Sequence, residues 1–212
     1  MIALYILLPA LCLGVCLPMF FHERGKRRGL SLMWKALGTC CALGLALTGA
    51  IPAGGASWLC AGALLLCAAA DVLLDLNFLV GMGVFLAGHL CYIAWYLRLV
   101  PADALHLALV GLLCVAAAAT LSHFAPLMRG KRIPFGVYAA VLCVMGGFGL
   151  AAGLTLATPA GWLIAGGALL FVVSDGMVCK EVLSPVSRAF DWTAMTVYYA
   201  GQLMLGLGCA LM

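Results

Sequence analysis

Apolar residues run almost without interruption along the chain, and the breaks between runs are short and polar. The runs cover residues 2–21, 30–51, 57–75, 78–97, 103–121, 135–153, 160–180 and 193–211. Each approaches the roughly 20 residues that an α-helix needs to cross a hydrocarbon core. Eight crossings and short connections therefore use the whole chain. The weakest break is Asp75-Leu76-Asn77. A segment reaching from 57 to 97 is too long for one crossing, so a tight hairpin is expected at that point. The predicted architecture is all-α, a polytopic bundle of eight transmembrane helices forming a single integral membrane domain over residues 1–212.

Composition agrees. The chain is 67% hydrophobic and only 8% charged, with 11 Lys+Arg against 7 Asp+Glu. Soluble domains carry about 25% charged residues, which excludes a soluble enzyme and a nucleic-acid binder with a basic face. The net charge of +4 needs no acidic partner, because cytoplasmic loops of membrane proteins retain Lys and Arg. Eleven cysteines lie in or at the ends of the apolar runs with no CxxC pair and no Cys/His metal spacing; they read as small helix-packing residues. Neither a metal nor a cofactor is expected. Small-residue helix faces allow a homodimer without requiring one.

Ten of the eleven positive residues fall on one side of the predicted topology, and Arg98 alone falls on the other. By the positive-inside rule that side is cytoplasmic and both termini lie outside. The cluster His22 to Arg28 follows the first apolar run, where a cleaved signal peptide would carry its charge before it. The expected location is the cytoplasmic (inner) membrane of a bacterium. All five tryptophans lie near predicted helix ends, as an interfacial belt would place them. Two patterns recur about half a chain apart. Arg24-Gly-Lys-Arg27 returns as Arg129-Gly-Lys-Arg132, and Trp58, Gly62, Leu65, Leu66 and Asp71 return as Trp162, Gly166, Leu169, Leu170 and Asp175. This pattern is that of a parallel 4+4 repeat, with chance similarity of Leu-rich helices as the alternative.

Ionisable residues inside spanning segments are costly and mark function. Asp71 and Asp175 stand out, because their one obvious buried cation is Lys35. Asp75 lies one turn from Asp71 on the same helix face, with a role in the hairpin turn as its plainer reading. His89, Tyr198, Tyr199 and Gln202 complete a polar layer in the same half of the bundle. Asp103, after Pro101-Ala102, reads as an N-cap. These residues alone leave open a metal-assisted intramembrane lipid hydrolase, an ion- or proton-coupled transporter and acid–base hydrolysis.

At these positions the sequence resembles the lysoplasmalogenase family, the YhhN-like membrane proteins. The resemblance rests on Ala70-Asp71-Val72-Leu73-Leu74, Phe85-x-x-x-His89-x-x-Tyr92, Ser174-Asp175, Tyr199-x-x-Gln202 and the lysine Lys35 opening the second helix. Ala70 stands where the family usually has Gly, and Ala36 where it often has Pro. The resemblance implies hydrolysis of the vinyl ether bond of lysoplasmalogens to a fatty aldehyde and glycerophosphoethanolamine or glycerophosphocholine. The partners it implies are a lysophospholipid and the bilayer. On that reading Asp71 and Asp175 are the catalytic pair. His89, Tyr92, Ser174, Tyr199 and Gln202 orient water or the ether, Asp75 and Tyr198 support the pair, and Lys35 holds the phosphate.

Overall fold

The computed structural model describes residues 2–128 and 130–212; Arg129, part of the recurring basic motif, lies outside the described residues. Among these the chain is entirely helical, with eight rods. They are α1 (Ile2–Glu23), α2 (Arg28–Ala53), α3 (Ser57–Leu76), α4 (Phe78–Leu99), α5 (Ala104–Leu127, its last turn a 3₁₀ turn), α6 (Arg132–Leu156), α7 (Pro159–Leu183) and α8 (Arg188–Ala210). The first seven are long and apolar enough to cross a membrane. The eighth has 23 residues and is more polar. Its Tyr198, Tyr199 and Gln202 are buried against other helices.

The helix ends follow from local chemistry. α3 stops at Leu76, and Asn77 then caps α4 by accepting the Val80 N–H, giving the tight hairpin that the Asp75–Asn77 break predicts. Asp103 caps α5 through the Leu105 and His106 N–H groups, and its hydrogen bond with the His106 ring holds its carboxyl below the usual carboxylate range. Thr158 and Ser187 cap α7 and α8. α1 is continuous through a π-helical segment, Cys12–Cys16, ahead of Pro18.

Six helices close a ring in the order α2, α3, α4, α6, α7, α8 and back to α2. α1 lies outside against α2, and α5 lies outside against α6. The outer position of α5 shows in its surface, since His106 is its one buried side chain. Close approach within the ring rests on small residues. A Cβ on Gly206 of α8 would collide with the Ala42 carbonyl of α2, whereas one on Gly62 would meet nothing within 4 Å. Trp58 and Trp162 are half exposed, as belt residues are, but Trp95 is fully buried and corrects the uniform-belt expectation. In the last two turns of α4 Trp95 and Tyr96 are buried, with ring centroids 5.3 Å apart.

Gly206→Val should therefore force α2 and α8 apart. We expect a loss of about 1–3 kcal/mol, typical of an overpacked seam, read as earlier thermal unfolding of the detergent-solubilised protein. Gly62→Ala should unfold with the wild type.

Candidate functional site

One end of the ring gathers the charged residues. α3, α7 and α1 end there, and α2, α4, α6 and α8 begin there. Asp71 lies five residues before the end of α3, about 7.5 Å inward, and Asp175 eight residues before the end of α7, about 12 Å inward. The second depth exceeds the five residues that a run ending at 180 would leave, because α7 continues to Leu183.

Both acids open into one cavity of about 250 Å³. Phe78, Met82, Phe85, Phe135, Val178, Val182 and Met195 supply apolar wall, and Lys35, Asp75, Arg24, Glu181 and Asp191 supply charge. A carboxyl in such a place must find donors, because an unpaired polar group in low dielectric costs several kcal/mol. Asp71, 2% exposed, accepts from the Thr39 hydroxyl at 2.5 Å and the Tyr198 hydroxyl at 2.9 Å, both on Oδ2. Asp175 accepts from the Tyr138 hydroxyl at 2.5 Å. Its Oδ2 also lies 3.7 Å from His89 Nε2.

The histidine's protonation pattern follows from its other nitrogen. His89 Nδ1 is 2.5 Å from the Phe85 carbonyl oxygen, which only accepts, so Nδ1 carries a proton. Nε2 is buried with no hydrogen-bond partner. It faces Asp175 without a hydrogen bond to it.

The remaining expected residues divide. Lys35 and Asp75 line the cavity as an ion pair at 2.9 Å, so Lys35 neutralises Asp75 at close range and is not the direct partner of Asp71. Tyr199 is outside the cavity and donates to the Lys35 carbonyl at 2.9 Å, bracing α2 where the lysine leaves it. Its ring fits there because residue 38 is glycine, whose Cβ would lie 2.6 Å from that ring. Tyr92 donates to Gln202 Oε1 at 3.0 Å, a buried cross-link between α4 and α8 outside the cavity lining. Gln202 Nε2 has no partner. Ser174 donates to the Phe171 carbonyl at 2.8 Å and is not in the lining.

Sequence reading missed Thr39 and Tyr138, the hydroxyls that hold the acids. It also missed the rim, where Arg24 pairs with Asp191 and, at 3.2 Å, with Glu181. No local signal marks either of the first two: Thr39 lies eleven residues and Tyr138 six residues inside helices that begin with arginine.

Residues 30–209 match the YhhN family. The chain belongs to the YhhN family. Two curated relatives carry the name lysoplasmalogenase TMEM86B. The Rattus norvegicus protein is 33% identical over 162 residues, covering 74% of this chain and 63% of its own length. The Homo sapiens protein is 33% identical over 186 residues, covering 83% of this chain and 76% of its own length. No solved structure matches the chain. This YhhN chain thus pairs an apolar helical ring with acids at one end, and two of its relatives carry the name lysoplasmalogenase.

Thr39→Val with Tyr198→Phe should strip Asp71 of both hydroxyl donors and cost about 1–3 kcal/mol. In an Asp71→Leu background the same pair should cost markedly less. Thermal unfolding of the four variants closes the cycle, and equal costs in both backgrounds would show the hydroxyls packing independently of the acid.

Proposed function

We propose that this YhhN protein hydrolyses the vinyl ether bond of lysoplasmalogens, releasing a fatty aldehyde and a glycerophospho-alcohol. The observation that carries the reading is that Asp71 and Asp175 open into one cavity with apolar walls and a charged mouth. That arrangement suits an amphiphile with its polar end at the mouth and its chain against Phe78, Met82, Phe85 and Phe135. The family membership and the relatives' printed name support the same chemistry.

Protonation of the vinyl ether's β-carbon gives an oxocarbenium ion, water adds to it, and the resulting hemiacetal collapses to aldehyde and alcohol. This asks for one group that delivers a proton and one carboxylate beside the developing cation, the division used by inverting glycosidases. Asp175 has the imidazole of His89 nearby, Nε2 at 3.7 Å, and Asp71 has hydroxyl donors alone. We assign proton delivery to Asp175 with His89 behind it. Asp71, held by Thr39 and Tyr198, faces the cation and takes the proton from the attacking water. Tyr138 fixes Asp175. Tyr92, Gln202, Ser174 and Tyr199 act through packing and helix position, outside the reacting layer.

The basic residues around the site end support a cytoplasmic orientation for it, with both termini outside. The neighbour pattern supports the 4+4 repeat: α1 rests on α2 as α5 rests on α6, and α4 meets α6 as α8 meets α2. The bundle reads as an integral protein of the inner membrane.

Purified protein in detergent should release aldehyde from an alkenyl lysophospholipid and no fatty acid from the acyl analogue. Asp71→Asn and Asp175→Asn should each lower turnover about 10²- to 10⁴-fold, the range for a positioned acid or base, with unfolding temperatures near the wild type. Acyl cleavage instead, turnover abolished by chelators, or proteoliposome ion flux lost in the same variants without any hydrolysis would each replace this reading.

A further inference from the structure

Beside the acid-lined cavity lies a second, of about 290 Å³, between the end of α1 and the start of α2. The two cavities share Phe20, Arg24 and Asp75, so they lie side by side. Their charges oppose. The first holds five acids, Asp71, Asp75, Asp175, Glu181 and Asp191, against Arg24 and Lys35. The second holds Arg24, Lys26 and Arg28 against Asp75 alone.

Two of the second cavity's three cations, Lys26 and Arg28, are also the less satisfied. Lys35 spends its charge on Asp75 at 2.9 Å, and Arg24 on Asp191 and Glu181. Arg28 donates to the backbone carbonyl of Asp75, a neutral acceptor, and Lys26 Nζ lies 3.3 Å from the His22 ring. Among the described residues neither has a carboxylate within ion-pair distance. α2 begins beside them with no side-chain cap on its first N–H groups, which adds positive potential at the same spot. The connection is held open by Gly25 at φ +86°, a conformation in which a side chain would be strained.

We propose that this basic cavity is the phosphate subsite: Arg28 and Lys26 bind the phosphate ester of the lysophospholipid while its ether lies between Asp71 and Asp175. A guanidinium matches a phosphate's oxygens bidentately and an ammonium adds a point charge. The inference rests on the hydrolase reading for the identity of the phosphate ester. It moves phosphate recognition from Lys35, whose charge Asp75 already meets, to the loop before α2. The acid-rich cavity would repel a phosphate that entered deeper, so the two charge patterns together set how far the substrate slides in.

The test uses the full chain in detergent with Lys26→Gln and Arg28→Gln combined. Equilibrium binding of soluble glycerophosphoethanolamine reads the subsite without any turnover, so failure of the hydrolase reading leaves this arm intact. The wild type should bind it and the double variant should bind about tenfold or more weakly, the loss of about 1.4 kcal/mol or more. In turnover, KM for the alkenyl lysophospholipid should rise by a similar factor, while KM for the phosphate-free alkenylglycerol should not follow. Equal binding by both proteins, or no binding by the wild type at millimolar ligand, would overturn the proposal. A KM rise shared by both substrates would also overturn it, because the effect would then be structural. Inorganic phosphate binding as tightly as the glycerophospho ester would replace a headgroup subsite with a general anion site.

Discussion

The Asp71 carboxyl is where three helices meet. It belongs to α3, and both of its hydroxyl donors come from elsewhere, Thr39 from α2 and Tyr198 from α8. A buried acid cannot be left without donors in a medium that supplies no water. The requirement therefore fixes α2, α3 and α8 against one another more specifically than apolar contact does, since lipid and Leu side chains offer helices similar surroundings. The Tyr138 to Asp175 bond ties α6 to α7 in the same way, and the Arg24 pairs tie the end of α1 to α7 and α8. The polar layer that looks costly is what gives the ring its register.

That dependence explains what the sequence does and does not disclose. Eight helices, the hairpin at Asn77 and the Asp103 cap are legible because they need only run length, turn residues and caps. The two acids are legible because carboxylates are rare inside apolar runs. Neighbour order is not legible: when nearly every position is apolar, no stripe says which face turns inward. Trp95 shows the consequence, since a tryptophan near a helix end is equally consistent with a belt and with the interior. The rim pairs join residues 157 and 167 positions apart, and nothing local marks them. Tyr138 sits in an apolar run and shows itself only when α6 is brought beside α7.

The residues of the shared motifs also separate into two kinds once the ring is closed. Asp71, Asp175 and Asp75 reach the cavity, with His89 behind one acid. Ser174, Tyr92 and Tyr199 spend their hydroxyls on backbone carbonyls or on Gln202 Oε1. A motif read as a line of letters treats them alike. Hydrogen-bond direction distinguishes them, because a hydroxyl already donating to a carbonyl has no proton to give a substrate.

Depth is the remaining constraint, and it joins the site to the membrane. An alkenyl lysolipid has its reactive double bond just beneath its glycerol, with charge above and hydrocarbon below. A soluble enzyme would have to extract that bond from the interface, at a cost set by about 25 cal/mol for every Å² of chain exposed to water. On the proposed function, acids placed one to two turns inside the helix ends would meet the bond at the level where it already lies. The same depth makes those acids expensive, and the hydroxyls and the Lys35–Asp75 pair offset the expense. The proposed function thus asks for a single compromise: acids deep enough for the ether, yet close enough to the charged end for their partners to reach them.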